Sequence, residues 1–192
     1  KVLVLGETII DEYVFCETIG KSGKEPVMVN KKIEVQRFAG GSVSIANSIA
    51  KFCDKVEFFT YLGDKRSETK FIKNKLEKNV NLNFVNKQNS PTIIKSRLVD
   101  KYSGSKLSAI YDLNDAEIDE KNENILINKL KNKIEKCDLI VITDYGHGLL
   151  TEKIINLVEQ KAKYLSLNIQ LNALNSSYQK IEKYRKADLI CL

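Results

Sequence analysis

Short apolar runs alternate with longer amphipathic stretches along most of the chain. Runs at 2–5, 55–61, 82–86, 139–143, 164–167 and 188–192 are almost continuously hydrophobic, the pattern of strands covered on both faces. The stretches 42–52, 67–78, 120–135 and 151–161 carry apolar residues at helical spacing, several with Ser, Thr or Asp near their starts as caps. Alternation of this kind is the signature of βα units around a mostly parallel sheet, so the expected class is α/β.

Two segments break the rhythm. From 27 to 38 polar and apolar residues alternate, and from 93 to 113 two strand-like pieces flank the turn Tyr102-Ser103-Gly104-Ser105. Alternation means one wet face, which does not suit a sandwiched parallel sheet. Together with a piece at about 12–16, these segments read as a small separate sheet inserted into the body, used as a lid or an oligomer contact. The stretches 87–91 and 114–121 read as connectors, and 192 residues are enough for one body with a single sizeable core.

The net charge of +6 suits either an anionic partner or a lysine-rich surface. The lysines are scattered over predicted helices rather than gathered in a stripe, which argues against nucleic acid and leaves a phosphorylated small molecule open. Cys16, Cys53, Cys137 and Cys191 form no C-x-x-C pair, so neither a zinc site nor a disulfide framework is expected. No secretory apolar region opens the chain and no run reaches the roughly 18 residues of a membrane span, which points to a soluble, reducing, cytoplasmic setting. Lys1 stands where an initiator Met would, and 187–192 reads as a buried strand with nothing after it. The expectation is a fragment of a longer frame.

Five motifs offer chemistry. In Leu5-Gly6-Glu7-Thr8-Ile9-Ile10-Asp11 a strand leads through glycine to two carboxylates. At the carboxyl end of a strand Asp11 would accept hydrogen bonds from polyol hydroxyls; alternatively Glu7 and Asp11 cap a turn. Gly40-Gly41 precedes a helix, allowing close backbone approach to a ligand at a helix N-terminus, with Ser44 and Asn47 projecting toward the same crevice. The pair alone is more often a tight turn. In Thr92-Ile93-Ile94-Lys95-Ser96-Arg97 a strand would send Lys95 and Arg97 to one face, where they clamp a phosphate or merely decorate an exposed surface.

The fourth motif, Thr143-Asp144-Tyr145-Gly146-His147-Gly148, follows a buried run, so Asp144 and the glycine backbone would line the crevice. His147 is the chain's one histidine. Without a nucleophile motif beside it, it reads as a surface or ligand-contact residue rather than a general base. In the fifth, Leu167-Asn168-Ile169-Gln170-Leu171-Asn172, amides at alternate positions contact a nucleotide or hold a loop.

The joint order of these motifs resembles the PfkB/ribokinase family of sugar kinases, and is similar above all to the kinase domain of bifunctional heptose 7-phosphate kinase/heptose 1-phosphate nucleotidyltransferase proteins. The segment Gly20-Lys21-Ser22-Gly23-Lys24-Glu25-Pro26-Val27-Met28-Val29 resembles the lid of that branch. The resemblance implies a ribokinase-like three-layer α/β/α fold with a β lid that often builds a dimer, its C-terminal part missing here. It implies that Asp11, Gly40 and Gly41 contact sugar hydroxyls, with Ser44, Asn47 and Asp144 beside them. Lys95 and Arg97 would hold a substrate phosphate, and Asn168 and Gln170 would approach the nucleotide. Ser44 stands where the heptose kinases usually carry Asn, which leaves the sugar open.

ATP and Mg²⁺ belong to the parent enzyme in this reading. The family's Gly-Ala-Gly-Asp motif, whose Asp acts as base, does not occur in these 192 residues, so the chain is expected to bind without turning over. The alternative is a non-catalytic sugar-binding or dimerisation module of the same fold. A dinucleotide-binding Rossmann domain is opposed by the absence of G-x-G-x-x-G after the first strand.

Overall fold

The computed structural model describes residues 1–170 and 181–191. In chain order the elements are β1 (Val2–Gly6), β2 (Thr8–Lys21), β3 (Met28–Gly41), α1 (Ser42–Ala50), β4 (Val56–Gly63), α2 (Thr69–Lys75), β5 (Val80–Lys87), β6 (Ile93–Asp100), β7 (Lys106–Asp112), α3 (Glu120–Ile134), β8 (Leu139–Asp144), α4 (Glu152–Lys161), β9 (Leu165–Ile169) and β10 (Leu189–Cys191). A six-stranded sheet runs β10-β9-β8-β1-β4-β5 with every pairing parallel.

Strand periodicity builds the layers. On β1, Leu3 and Leu5 face one side and join Leu126, Leu130 and Ile134 of α3 and Ile154, Ile155 and Val158 of α4. Val2 and Val4 face the other and pack on Val43, Ala46 and Ala50 of α1 and Ile72 of α2. The result is the expected α/β/α sandwich, each fully buried aliphatic side chain contributing about 1.5–3 kcal/mol. Asp119 and Thr151 cap α3 and α4, their side chains accepting the N–H groups of Asn122 and Ile154. Among the described residues no helix is long and apolar enough to cross a membrane, and all four cysteines are free thiols.

The second sheet runs β3-β2-β6-β7. The piece read at 12–16 is the middle of a 14-residue strand that starts one residue after β1 ends, so Asp11 sits on a strand rather than in a turn. Ion pairs tie this sheet to the body at the start of α2. Arg37 of β3 reaches Glu68 at 2.8 Å and lies over the Phe71 ring, and Arg66 approaches Asp112 of β7 at 3.8 Å.

Other expectations are also corrected. The run 188–192 is not a buried strand: β10 lies at the sheet edge, with Leu189 49% and Ile190 46% exposed, and Leu192 falls outside the described residues. Helix α2 is shorter than 67–78. It starts after Glu68, whose φ of 51° is left-handed, and it stops where Glu77 gives its N–H to the Asn47 side chain.

Glu57 of β4 is a buried carboxylate surrounded by donors. It accepts from Asn81 (2.7 Å), Asn83 (3.1 Å) and Lys133 (3.2 Å), with Lys1 and Lys55 each 3.5 Å away. Burial alone would raise its pKa, but these donors bring it down to about 2. The stability it confers is therefore complete above the ordinary carboxylate range, near pH 4.5, and lost as pH falls toward 2. Glu57→Ala should cost about 2 kcal/mol or more, because three donors lose their acceptor. Denaturant titration at pH 7 and pH 3 should show the deficit shrinking in acid.

Candidate functional site

The cleft opens at the carboxyl ends of β1 and β8, where the second sheet leaves the body. Parallel pairing of β2 with β6 sets Asp11 opposite Lys95 and Tyr13 opposite Arg97. Asp11, Lys95 and Arg97 therefore share one face, as period-two spacing requires. The Arg97 Nη1 donates to Asp11 Oδ1 at 2.7 Å. Each cation also lies against an aromatic face: Arg97 is 5.6 Å from the Tyr13 ring centroid and Lys95 5.4 Å from that of Tyr111. Lys95 is only 7% exposed and has no carboxylate within ion-pair distance among the described residues. Burial holds its ammonium below the usual lysine range, with Asp11 opposing.

The glycine pair is required by the same geometry. A Cβ on Gly40 would stand 2.0 Å from Asp11 Oδ2, so the carboxylate occupies the space a side chain would need. Gly41 has φ 56° and ψ −138°, accessible to glycine, and a Cβ there would meet the Glu7 carbonyl at 2.8 Å. Gly41 also precedes the first turn of α1 with no side-chain cap, and the first N–H of the helix, that of Ser42, goes to the Glu7 carbonyl at 3.0 Å. Gly41→Ala should cost about 2 kcal/mol from backbone strain and crowding, read as a lowered thermal midpoint.

Ile9, Asp11, Gly41, Lys95, Arg97, Tyr145 and Gln170 enclose a cavity of about 240 Å³. Larger hollows exist, such as one of about 430 Å³ between β5 and α3. That one lies at the flank of the sheet, whereas the smaller one stands where strands of an open α/β sheet present ligands and brings two cations and a carboxylate together.

Beneath the cavity is a buried carboxylate that sequence reading treats only as a turn cap. Glu7, with no solvent exposure, accepts the main-chain N–H groups of Tyr145 (3.0 Å), His147 (3.2 Å) and Leu149 (3.3 Å). It fixes the turn after β8 that supplies Tyr145 to the cleft. Burial first and Asp144 second push the Glu7 carboxyl up to about 7, against those three donors.

The remaining candidates go elsewhere. Asp144 is buried and is not among the residues lining the Asp11 cavity; it accepts from the Tyr184 hydroxyl (2.6 Å) and the Gly146 N–H (2.9 Å) and pairs with Lys183. Ser44 bonds the Gly41 carbonyl of its own helix start at 2.8 Å. Asn47 bridges to α2, giving its amide to the Lys75 carbonyl (2.8 Å) and accepting from Glu77 N (3.0 Å). Neither is among the residues lining the cavity; Asn47 is held on the α2 side of the helix, while the Ser44 hydroxyl is spent on the Gly41 carbonyl. Gln170 lines the same cavity as Asp11, while Asn168 on β9 does not. Leu171 and Asn172 lie outside the described residues.

Of the two places open to His147, the surface or a ligand contact, the first is excluded, for the residue is fully buried. Among the described residues no group of three His, Cys, Asp or Glu side chains is placed to hold a metal ion.

This fold is shared with solved sugar kinases. Arabidopsis thaliana ribokinase, determined with ribose and ATP, superposes with a TM-score of 0.63 at 18% identity, covering 88% of this chain and 53% of that one. A possible 1-phosphofructokinase of Thermotoga maritima gives 0.65 at 14% identity, covering 99% and 59%. The architecture is thus ribokinase-like. The chain belongs to the pfkB family of carbohydrate kinases, whose family model matches residues 1–192.

Curated relatives include the bifunctional protein HldE of a Nitratiruptor species, 27% identical over 190 residues, and that of Campylobacter jejuni, 26% identical over 181. These alignments cover 99% and 94% of this chain but only 39% and 37% of the relatives. The chain therefore spans less than two fifths of their length.

Proposed function

We propose that this chain forms the acceptor-binding part of a sugar kinase whose substrate is a phosphorylated sugar of the heptose 7-phosphate kind. The observation that carries the reading is the grouping of Asp11, Lys95 and Arg97 on one strand face beside Gly40 and Gly41. Asp11 is an acceptor for two hydroxyls, and the glycines let the ring approach the backbone. Arg97 offers a planar fork and Lys95 a point charge to the phosphate already on the sugar.

In the whole protein the γ-phosphoryl group of ATP, with Mg²⁺, would pass to a free hydroxyl of that sugar. Such a transfer depends on positioning and charge stabilisation, and this chain's residues supply the first for the acceptor. Lacking Gly-Ala-Gly-Asp, the 192 residues bind the acceptor without turnover. The setting we infer is cytoplasmic, with neither nucleic acid nor membrane as partner.

Calorimetry with heptose 7-phosphate, its unphosphorylated sugar and ribose tests this. The phosphorylated sugar should bind at least tenfold more tightly than the other two; equal affinities would remove the role given to Lys95 and Arg97. Brisk ATP-dependent turnover by the isolated chain would remove the claim that it only binds.

A second reading, a dimerisation module, is favoured by the apolar residues on the second sheet. Phe38 is 51%, Ile110 65% and Met28 59% exposed. We infer a homodimer through these strands, and Ile110→Asp should shift sedimentation toward the monomer if that is right.

A further inference from the structure

Lys87 ends β5 with its side chain buried, only 2% exposed. An ammonium is costly to bury unless each of its N–H groups finds an acceptor, and here each does. Nζ donates to the main-chain carbonyls of Asn114 (2.5 Å), Ala116 and His147 (3.2 Å). The face of the Tyr61 ring closes a fourth side, its centroid 4.7 Å away. All these partners are uncharged. The group is held by carbonyl dipoles, as a carbonyl cage holds a dehydrated monovalent cation. Burial brings its pKa down to about 8, with Glu7 and Asp115 opposing, so at pH 7 it is still a cation.

The three carbonyls come from two segments distant in sequence, the 114–121 connector and the turn after β8. Two further bonds cross the same seam: His147 Nδ1 is 2.6 Å from Asp115 Oδ1, and the Ile118 N–H donates to the Gly148 carbonyl at 2.9 Å. From its other side the turn gives the N–H groups of Tyr145, His147 and Leu149 to Glu7. The main chain of His147 is therefore gripped twice, its N–H by a carboxylate and its C=O by an ammonium, with the Tyr61 hydroxyl as a second donor at 3.0 Å. Two residues earlier stands Tyr145, which walls the cavity together with Asp11, Lys95 and Arg97. The route from Lys87 to the cleft is thus one hydrogen bond and two residues of a fixed turn.

We propose that Lys87 is a tethered cation: its ammonium fills a cation site built of main-chain carbonyls, and by filling it holds the turn that places Tyr145 in the cleft wall. The site takes a small cation with N–H donors, ammonium or a primary alkylammonium, and the tether supplies one without the entropy cost of capturing a free ion. Lys87 is a positioning residue, acting on the cleft through the turn. That the cleft receives a sugar phosphate rests on the function proposed above; the cage and its hold on Tyr145 do not.

Lys87→Ala removes a fragment of the size and charge of n-propylammonium, so that ion is the probe. n-Propanol, which has the stem without the charge, and tetramethylammonium, which has the charge without N–H donors, are the controls at equal concentration. The variant's thermal midpoint should rise by about 2–4 °C more with n-propylammonium than with either control, whereas the wild type, its cage already filled, should not distinguish the three. In protein labelled on its tyrosine rings, the Tyr145 resonance, assigned with Tyr145→Phe, should move in Lys87→Ala and return with n-propylammonium alone. Affinity for heptose 7-phosphate should fall about 10-fold in the variant and recover with the same ion. Should Lys87→Ala not fold, Lys87→Met keeps the stem, and the same readings apply with ammonium as the probe.

Rescue by n-propanol equal to that by n-propylammonium overturns the inference, because the side chain then only fills a void. A midpoint that recovers while the Tyr145 resonance does not respond overturns the positioning role. If both respond as expected and the wild type does not bind heptose 7-phosphate, the proposed function falls and the tethered cation stands.

Discussion

Replacing Arg97 with Met is expected to weaken binding of a phosphorylated sugar by about 100-fold while leaving an unphosphorylated sugar within a few-fold of wild type. A charge-assisted hydrogen bond to a phosphate in a half-buried cleft contributes about 1.5–3 kcal/mol, and Arg97 is placed to make two. Arg97→Lys should recover part of the loss, restoring charge without the fork. Asp11→Asn gives the opposite signature. In the empty cleft Arg97 is engaged by Asp11 at 2.7 Å, so an entering anion must compete with a carboxylate already there. Neutralising Asp11 should strengthen the binding of inorganic phosphate and weaken that of the bare sugar, whose hydroxyls lose an acceptor. Calorimetry on the two variants with phosphate, sugar and sugar phosphate gives a crossed pattern. If Asp11→Asn weakened all three ligands together, the carboxylate would be holding the strand in place rather than meeting hydroxyls.

That crossed dependence marks the boundary of what the sequence discloses. Lys95 and Arg97 sit two apart on a strand, so their shared face follows from local spacing alone. Their meeting with Asp11 does not, because it depends on parallel pairing between strands whose bonded residues are 86 positions apart. The alternating layers of β1, the main helices and the presence of a second sheet are all legible, since each is written as a repeat of period two or 3.6. The exposure of Leu189 and Ile190 on β10 is not, because a hydrophobic run does not reveal how much of it its neighbours cover. Proximity to the glycines points Ser44 and Asn47 at the crevice, yet Asn47 is taken up by the contact of α1 with α2 and the Ser44 hydroxyl by the Gly41 carbonyl. His147 is a related case: glycines on both sides leave it a surface or ligand-contact residue, whereas their left-handed backbone drives the ring inside. Tyr145 stands out in the sequence only as part of its motif, and its place in the cleft wall follows from the turn that Glu7 holds.

Glu7 carries the second large effect. Glu7→Ala would remove one buried acceptor from three main-chain donors and leave a void, a loss of about 3–5 kcal/mol that threatens folding itself. Glu7→Gln is the sharper instrument because it keeps the shape. Its oxygen can serve His147 and Leu149, but its amide then confronts the N–H of Tyr145, two donors facing each other at a cost of about 1–3 kcal/mol. The thermal midpoint should drop by about 3–10 °C. The pH dependence identifies the cause. The Glu7 carboxyl is pushed up to about 7 in the fold, from an ordinary value of 4.5. Between those values the unfolded chain releases its proton while the folded chain keeps it, so wild-type stability falls as pH rises through that window and levels off above it. Glutamine does not titrate, so the deficit of Glu7→Gln should be greatest at pH 4.5 and shrink toward pH 7. A deficit of constant size across that range would mean that Glu7 stays ionised throughout, stabilised by its three donors more strongly than burial and Asp144 oppose it.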